Sequence, residues 1–402
     1  MSQGGQQEER NNRWWDPDRL RRLWSRVPLD GLRSRLQGFE LHEFLAELRR
    51  NRLWQVVGAL SAFLLLLLVL TPLVDAPLRK PLPDRLQVTG FFENSAGGMY
   101  VDSFPSLQNR ADDLDIVNGF WYSLGPDGEL AIERPRKEVL EFARRAGLEV
   151  YALFHDKRAG ERTLAFLDSP GGRSKAVESI LAAVEDLSYD GITIDFVDLR
   201  PDQGEEFVLF LRELRASLPR RVTLSVAVPP KEDLPEERHA AYDYAKIASY
   251  ADYLILMAID RHNPLTGPGP IAPVPWVRSS IQDALGRGVG PHKLVLAVGL
   301  YGYDWPVKAQ QGTVQYLPLK DVLARAEEVG AGIEEDEESQ NSYFRYERLG
   351  IQRVVWFPDR EDVHAFIDMA AEARLRGIAF WRLGFETDEV WEIVRQNIPV
   401  NR

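Results

Sequence analysis

The sequence predicts an α/β chain: a (β/α)8 barrel with a small α+β insertion between its seventh and eighth strands, preceded by one transmembrane helix. Three observations carry this. From Leu86 onward, short apolar runs alternate with helical stretches, the pattern of parallel β/α units. Eight such units follow one another, with one surplus segment before the last. Ahead of them, Leu53 to Val74 contains no charged residue.

Taken in order, residues 1–52 are polar and Arg-rich and carry Trp14, Trp15 and Trp24. Phe39, Leu41, Phe44, Leu45 and Leu48 recur at helical spacing, giving an amphipathic stretch suited to a membrane surface; a partly disordered cytoplasmic tail is the alternative. Residues 53–74 include five consecutive leucines. About 20 apolar residues suffice to cross a bilayer as a helix, so this reads as a single span rather than a buried soluble helix. The Arg-rich N-terminal side places the N-terminus in the cytoplasm and the rest of the chain outside the cell membrane. Residues 75–85, with Pro77, Pro81 and Pro83, form a stiff linker.

Within 86–402 the candidate strands are 86–92, 116–122, 148–154, 191–196, 222–228, 253–259, 294–301 and 377–383. Helices are expected near 103–112, 135–146, 174–187, 203–217, 236–250, 275–288, 362–376 and 387–397. Pro135 and Gly147 bracket the second of these with start and stop chemistry. No glycine-rich phosphate loop follows the first strand, which disfavours an open doubly wound sheet. The surplus segment, 304–358, holds a helix (Leu319–Val329), the acidic run Glu334-Glu-Asp-Glu-Glu338, read as a solvated loop tip, and a hairpin of Tyr343–Glu347 with Val354–Phe357.

The net charge of −12 disfavours nucleic acid as a partner. The absence of cysteine excludes disulfides, thiolate metal sites and a cysteine nucleophile. No cofactor and no metal is expected.

The stretch that organises the site is Tyr189-Asp-Gly-Ile-Thr-Ile-Asp-Phe-Val-Asp198. It reads as a buried parallel strand whose inward face carries Thr193, Asp195 and Val197. A carboxylate there must be paired or used. Taken alone, Asp195 is as readily a strand-end residue capping the next helix. The string also resembles the Asp-Gly-x-x-x-Asp-x-Glu signature of family 18 glycoside hydrolases, nearest to the branch of bacterial cell-wall and spore-cortex N-acetylglucosaminidases. Asp190, Gly191 and Asp195 fall on the pattern, and Val197 stands at the position of the catalytic Glu. The likeness extends through Gly269-Pro-Ile-Ala-Pro-Val-Pro-Trp276, Gly299-Leu-Tyr-Gly-Tyr-Asp-Trp305, Val355-Trp-Phe-Pro-Asp359 and Gly377-Ile-Ala-Phe-Trp-Arg-Leu-Gly384.

The resemblance implies hydrolysis in which the substrate's own acetamido oxygen is the nucleophile, an exception to the two-carboxylate scheme. The family uses a protonated Glu as acid, an Asp to orient the acetamido group and a Tyr on strand six to hold it. Here the Asp is Asp195, the Glu is Val197, and the strand-six string reads Met257-Ala-Ile-Asp260, with Ile259 in place of the Tyr. Asp198 is a weak substitute acid, because alternation turns it from the barrel axis and it is shorter than Glu. The aromatic residues Trp121, Tyr122, Tyr301, Tyr303, Trp305 and Trp381 fall at strand ends, where some are expected to line a groove. Candidate substrate-binding residues are Glu93, Trp121, Tyr122, Met257, Asp260, Tyr301, Asp304 and Trp381. The expected ligand is an N-acetylglucosamine-containing glycan, foremost peptidoglycan, with hydrolysis weak or lost. Two other readings stay open: an active glycosidase using a displaced carboxylate, and an envelope scaffold that docks a protein partner.

Overall fold

A computed structural model describes residues 85–94, 101–132, 135–156, 164–197 and 199–398. The N-terminal segment, the apolar span 53–74, most of the linker and Asp198 lie outside them. Among the described residues no helix is long and apolar enough to cross a membrane.

Eight parallel strands close on themselves: β1 (Gln87–Phe92), β2 (Ile116–Leu124), β4 (Glu149–Asp156), β5 (Gly191–Asp195), β6 (Thr223–Val228), β7 (Tyr253–Leu256), β8 (Leu294–Gly299) and β14 (Gly377–Trp381). Pairing of β1 with both β14 and β2 completes the ring. The helices α1 (Phe104–Arg110), α2 (Lys137–Arg145), α3 (Pro170–Leu187), α4 (Gly204–Ser217), α5 (Tyr244–Tyr250), α6 (Val274–Gly286), α8 (Arg360–Glu372) and α9 (Asp388–Asn397) alternate with them. This is the expected (β/α)8 barrel. Gly147, at φ +77°, ends the segment of α2 as its stop signal foretold.

The strand N-termini share one device. Asp115, Asp190 and Asp252 each stand immediately before a strand, and each accepts the backbone N–H of a residue on the neighbouring strand: Val88 (2.8 Å), Val150 (3.0 Å) and Leu224 (2.8 Å). Asp190 of the signature therefore seals the closed end of the barrel, far along the strand from its reactive end. Gly191 follows because the Tyr151 ring occupies the space a Cβ would need, with ring carbons 2.5 Å from it.

Three elements depart from expectation. The seventh barrel strand does not run on to residue 301. It ends at Gly299, and Leu300 gives its N–H to Trp381 O, after which β9 (Tyr301–Pro306) turns into the insertion. The strand expected over 253–259 stops at Leu256, before the family-like Met257–Asp260 string, which leaves as a turn. The helix expected over 236–250 is split, because Asp243 caps a new helix through Lys246 N (3.1 Å). A short strand, β3 (Leu130–Ile132), also folds back on β2 through a turn with Gly128 at φ +80°.

The insertion is a five-stranded antiparallel sheet in the order β10 (Gln315–Pro318), β9, β13 (Ile351–Phe357), β12 (Ser342–Arg348) and β11 (Glu334–Glu335), crossed by α7 (Leu319–Val329). The acidic run is a loop tip only in its second half: Glu334 and Glu335 pair with Tyr343 and Ser342 as an edge strand, while Glu337 and Glu338 lie exposed in the turn that follows. Asn341 ties the sheet to the loop after β7, donating to Ala272 O (2.9 Å) and accepting from Ala272 N (3.1 Å).

Where the insertion returns to the barrel, Asp362 sits buried in a capping box with Asp359 at the start of α8. Burial first, and then the neighbouring Asp359, raise its carboxyl to about 8. The folded chain thus holds this proton to higher pH than the unfolded chain, whose Asp titrates near ~3.9. Its contribution to stability is present below that value and is lost as pH rises towards 8. Asp362→Asn keeps the acceptor for Asp359 N–H and cannot ionise. Its urea midpoint should fall less than the wild type's between about pH 5 and pH 8; parallel declines would show that Asp362 does not govern this range.

Candidate active site

Register fixes which side chains enter the barrel. Asn118 (β2), Thr193 (β5) and Ser225 (β6) meet inside it, with Asn118 Nδ2 donating to Thr193 Oγ1 (2.7 Å) and Thr193 Oγ1 lying 2.8 Å from Ser225 Oγ. Two residues further along the same faces come Phe120 and Asp195, at the C-terminal mouth. Thr193, named above as part of the inward face with Asp195, is thus engaged with its lateral neighbours in the layer below.

Asp195 is the last residue of β5, 5% exposed, and is the cross-strand neighbour of His155. His155 stacks on Phe120, centroids 4.1 Å apart, and its Nδ1 lies 2.8 Å from Asp156 O. A carbonyl only accepts, so Nδ1 carries the proton. Beyond Asp195 the strand ends, and Phe196 enters the helix layer among Phe166, Phe207 and Phe210. Val197 is half-buried. Tyr242 Oη donates to Phe196 O (2.9 Å), and Arg238 Nη2 donates to the carbonyls of Val197 (2.8 Å) and Leu199 (3.1 Å). The segment 196–199 is thus clamped at its carbonyls on either side of residue 198.

Trp381 ends β14 with its ring partly open to solvent. Phe91 and Phe120 flank it at 5.1 and 5.8 Å, and its Nε1 donates to Tyr316 Oη (3.1 Å). Next to it, Arg382 pairs with Glu93 (Nε–Oε2 3.0 Å) and stacks on Phe385. Met257, half-buried, and Asp260, exposed, leave the end of β7. Tyr301 Oη lies 2.8 Å from Asp260 Oδ1 and 2.9 Å from Ile259 O. Burial first, then the Asp260 charge, push the Tyr301 phenol well above its ordinary value, so it stays a donor. The phenol from β9 thereby stands against the Ile259–Asp260 turn that follows β7.

Three sequence candidates are corrected. Trp121 and Tyr122 do not line the mouth. A bulge in β2 puts Trp121 as an extra residue between Phe120 and Tyr122, and both rings turn to the helix layer. Trp121 is fully buried against Phe92 and Tyr189, over the Cα of Gly119, while Tyr122 stacks on Phe154 at 4.7 Å. Phe120 takes their place at the mouth. Asp304 is 0% exposed and belongs to the insertion's interior: it accepts from Arg353 Nε (2.7 Å), Tyr346 Oη (2.6 Å) and Arg325 Nη1 (3.1 Å). Tyr303 and Trp305 are likewise buried. Glu93, Asp195, Met257, Asp260, Tyr301 and Trp381 come together at the mouth. Asp198 lies outside the described residues.

Sequence reasoning also missed Phe91, Phe120, His155, Tyr316 and Arg382. Phe91 and His155 carried a signal, since each lies near the C-terminal end of its strand on the inward phase. Tyr316 carried none, because it arrives from the edge strand of the insertion. Among the described residues no group of His, Asp and Glu is arranged to hold a metal.

Comparison with known proteins bears on this arrangement. Residues 160–386 match the family described as Glycosyl hydrolases family 18. The chain is 30% identical over 300 residues to YdhD of Bacillus subtilis (strain 168), named as a sporulation-specific glycosylase, covering 70% of this chain and 71% of that protein. It is 26% identical over 235 residues to the cortical fragment-lytic enzyme of Bacillus anthracis, covering 57% of this chain and 54% of that protein. In fold it is similar to the crystal structure of the Bacillus cereus spore cortex-lytic enzyme SleL, with TM-score 0.71 and 22% identity over 79% of this chain and 75% of the other. The chain belongs to family 18 of the glycosyl hydrolases.

Proposed function

We propose that this barrel binds N-acetylglucosamine-containing glycan, peptidoglycan foremost, at its C-terminal mouth, with hydrolysis weak or lost. We further propose that residues 53–74 anchor it in the cell membrane, with the N-terminus cytoplasmic and the barrel outside. One observation carries the reading. The partly exposed Trp381, backed by Phe91 and Phe120, stands at the mouth with Asp195, and the resemblance assigns Val197 the position of the acid. An aromatic face suits the apolar face of a pyranose, and the carboxylate suits its acetamido N–H. Valine neither gives nor takes a proton. The kinship with proteins named for sporulation and cortical fragments supports peptidoglycan as the polymer.

The test is co-sedimentation with purified peptidoglycan together with an assay of reducing ends. Binding without release of reducing sugar is expected. Release that Asp198→Asn abolishes would make the protein an active glycosidase with a displaced acid. Absence of binding would leave an envelope scaffold. Protease added to intact cells should remove the barrel and spare the N-terminal segment; a protected barrel would reverse the orientation.

A further inference from the structure

Tyr316 belongs to β10, the outermost strand of the insertion sheet, yet it reaches the floor of the mouth. Its Oη accepts from Trp381 Nε1 at 3.1 Å, and its ring lies 4.7 Å from Tyr301, 5.5 Å from Tyr303 and 5.5 Å from Phe385. It is 39% exposed, in a cluster whose other tyrosines are buried. Arg382, Asp260 and Glu93 are all close enough to act on its hydroxyl electrostatically. The phenol therefore stands between the aromatic floor and the charged rim.

The hydrogen-bond roles decide what it can do. A phenol has one proton to give. Tyr301 directs its proton to Asp260 or Ile259 O, both within 2.9 Å. Tyr316 is the acceptor in its bond with Trp381, since an indole N–H only donates. Among the described residues no acceptor takes the phenol's own proton, which a ligand at the mouth can accept. The mouth is otherwise rich in carboxylates, Glu93, Asp195 and Asp260, which suit a ligand N–H and repel a carbonyl oxygen. An acetamido group needs both kinds of partner.

We infer that Tyr316 is a glycan-binding residue that donates its O–H to the acetamido carbonyl of a sugar stacked on Trp381, supplying from the insertion the donor that Ile259 cannot supply from the barrel. The inference rests on the glycan reading and adds to it the residue that reads the acetamido carbonyl.

The experiment uses the full chain in detergent micelles, with calorimetry against the N-acetylglucosamine tetramer and its deacetylated glucosamine counterpart. Loss of one neutral hydrogen bond corresponds to about threefold to tenfold in Kd. Tyr316→Phe, which keeps the ring, should weaken the acetylated tetramer by that factor and leave the deacetylated one unchanged. Trp381→Ala should weaken both. If Tyr316→Phe binds the acetylated tetramer as the wild type does while Trp381→Ala does not, Tyr316 has no such role and the glycan reading stands. Equal losses for both tetramers would also overturn the acetamido assignment, because a disturbed Trp381 would produce them. A wild type that binds neither tetramer removes both the inference and the reading beneath it.

Discussion

On the proposed reading, Val197→Glu should raise cleavage of N-acetylglucosamine oligomers by about 10²–10⁴-fold, the usual worth of a placed general acid. The argument is geometric. Phe196 is anchored in the helix layer by three phenylalanines, and the carbonyls of residues 196, 197 and 199 are held by Tyr242 and Arg238. A longer side chain at 197 therefore extends from a fixed backbone. Next to Asp195 and apolar walls, the new carboxyl would feel both desolvation and like charge, and both raise its pKa towards what an acid needs. Adding Ile259→Tyr supplies the family's remaining group. Ile259 is 7% exposed, so the larger ring must displace neighbours, and overpacking typically costs about 1–3 kcal/mol. The double variant should exceed the single one in activity only if Tyr316 does not already serve the acetamido group. The measurement is release of reducing ends from the tetramer. A wild type with substantial activity that Asp198→Asn abolishes would sink the whole scheme, because the acid would then have moved by one residue.

Asp304→Ala should be the most destabilising single change in the insertion. The carboxylate has no solvent exposure and joins Arg353, which is nearly as buried, to Arg325 and Tyr346. Arg353 is fixed further by the carbonyls of Asp304 (2.8 Å) and Thr313 (3.1 Å). Removing the acid leaves a guanidinium in the sheet interior without its counter-charge, a change that costs about 3–5 kcal/mol when a buried pair is broken. Arg325 is less enclosed and keeps Glu328 at 3.4 Å, so Arg325→Ala should cost much less. Chemical denaturation gives the size of the effect, and hydrogen exchange at the β9, β12 and β13 amides locates it. A shift below about 1 kcal/mol would put Asp304 in the range of an ordinary surface pair and reopen it as a ligand contact. Either way the result bears on binding, since β9 and β10 carry Tyr301 and Tyr316 to the mouth.

The amino-acid sequence by itself determined the barrel. Eight apolar runs alternating with helical stretches, with no glycine-rich phosphate loop after the first, favoured a closed barrel over an open doubly wound sheet, and the Asp-Gly that opens β5 has a local cause: Asp190 takes the N–H of Val150, and Tyr151 lies where a Cβ at 191 would be. Asp195 was legible too, because an acid within an apolar strand calls for an explanation on energetic grounds. Val197 and Ile259 draw attention only through the spacing of the resemblance, which assigns them the positions of the acid and the tyrosine. What only the tertiary structure decided was direction. Plain alternation from Asn118 puts Phe120 at the mouth and Trp121 in the helix layer, and one extra residue in β2 then turned Tyr122 to the helix layer as well, a bulge that leaves no mark in a local apolar pattern. Asp304 read as a strand-end acid, but its meaning depends on Arg325, Tyr346 and Arg353, which come from other elements of the insertion, at least 21 residues away along the chain. Tyr316 read as nothing at all. Its place beside Trp381 arises from a contact across 65 positions of the chain, and contacts of that kind are set by how the sheet of the insertion leans on the barrel, which no local periodicity encodes.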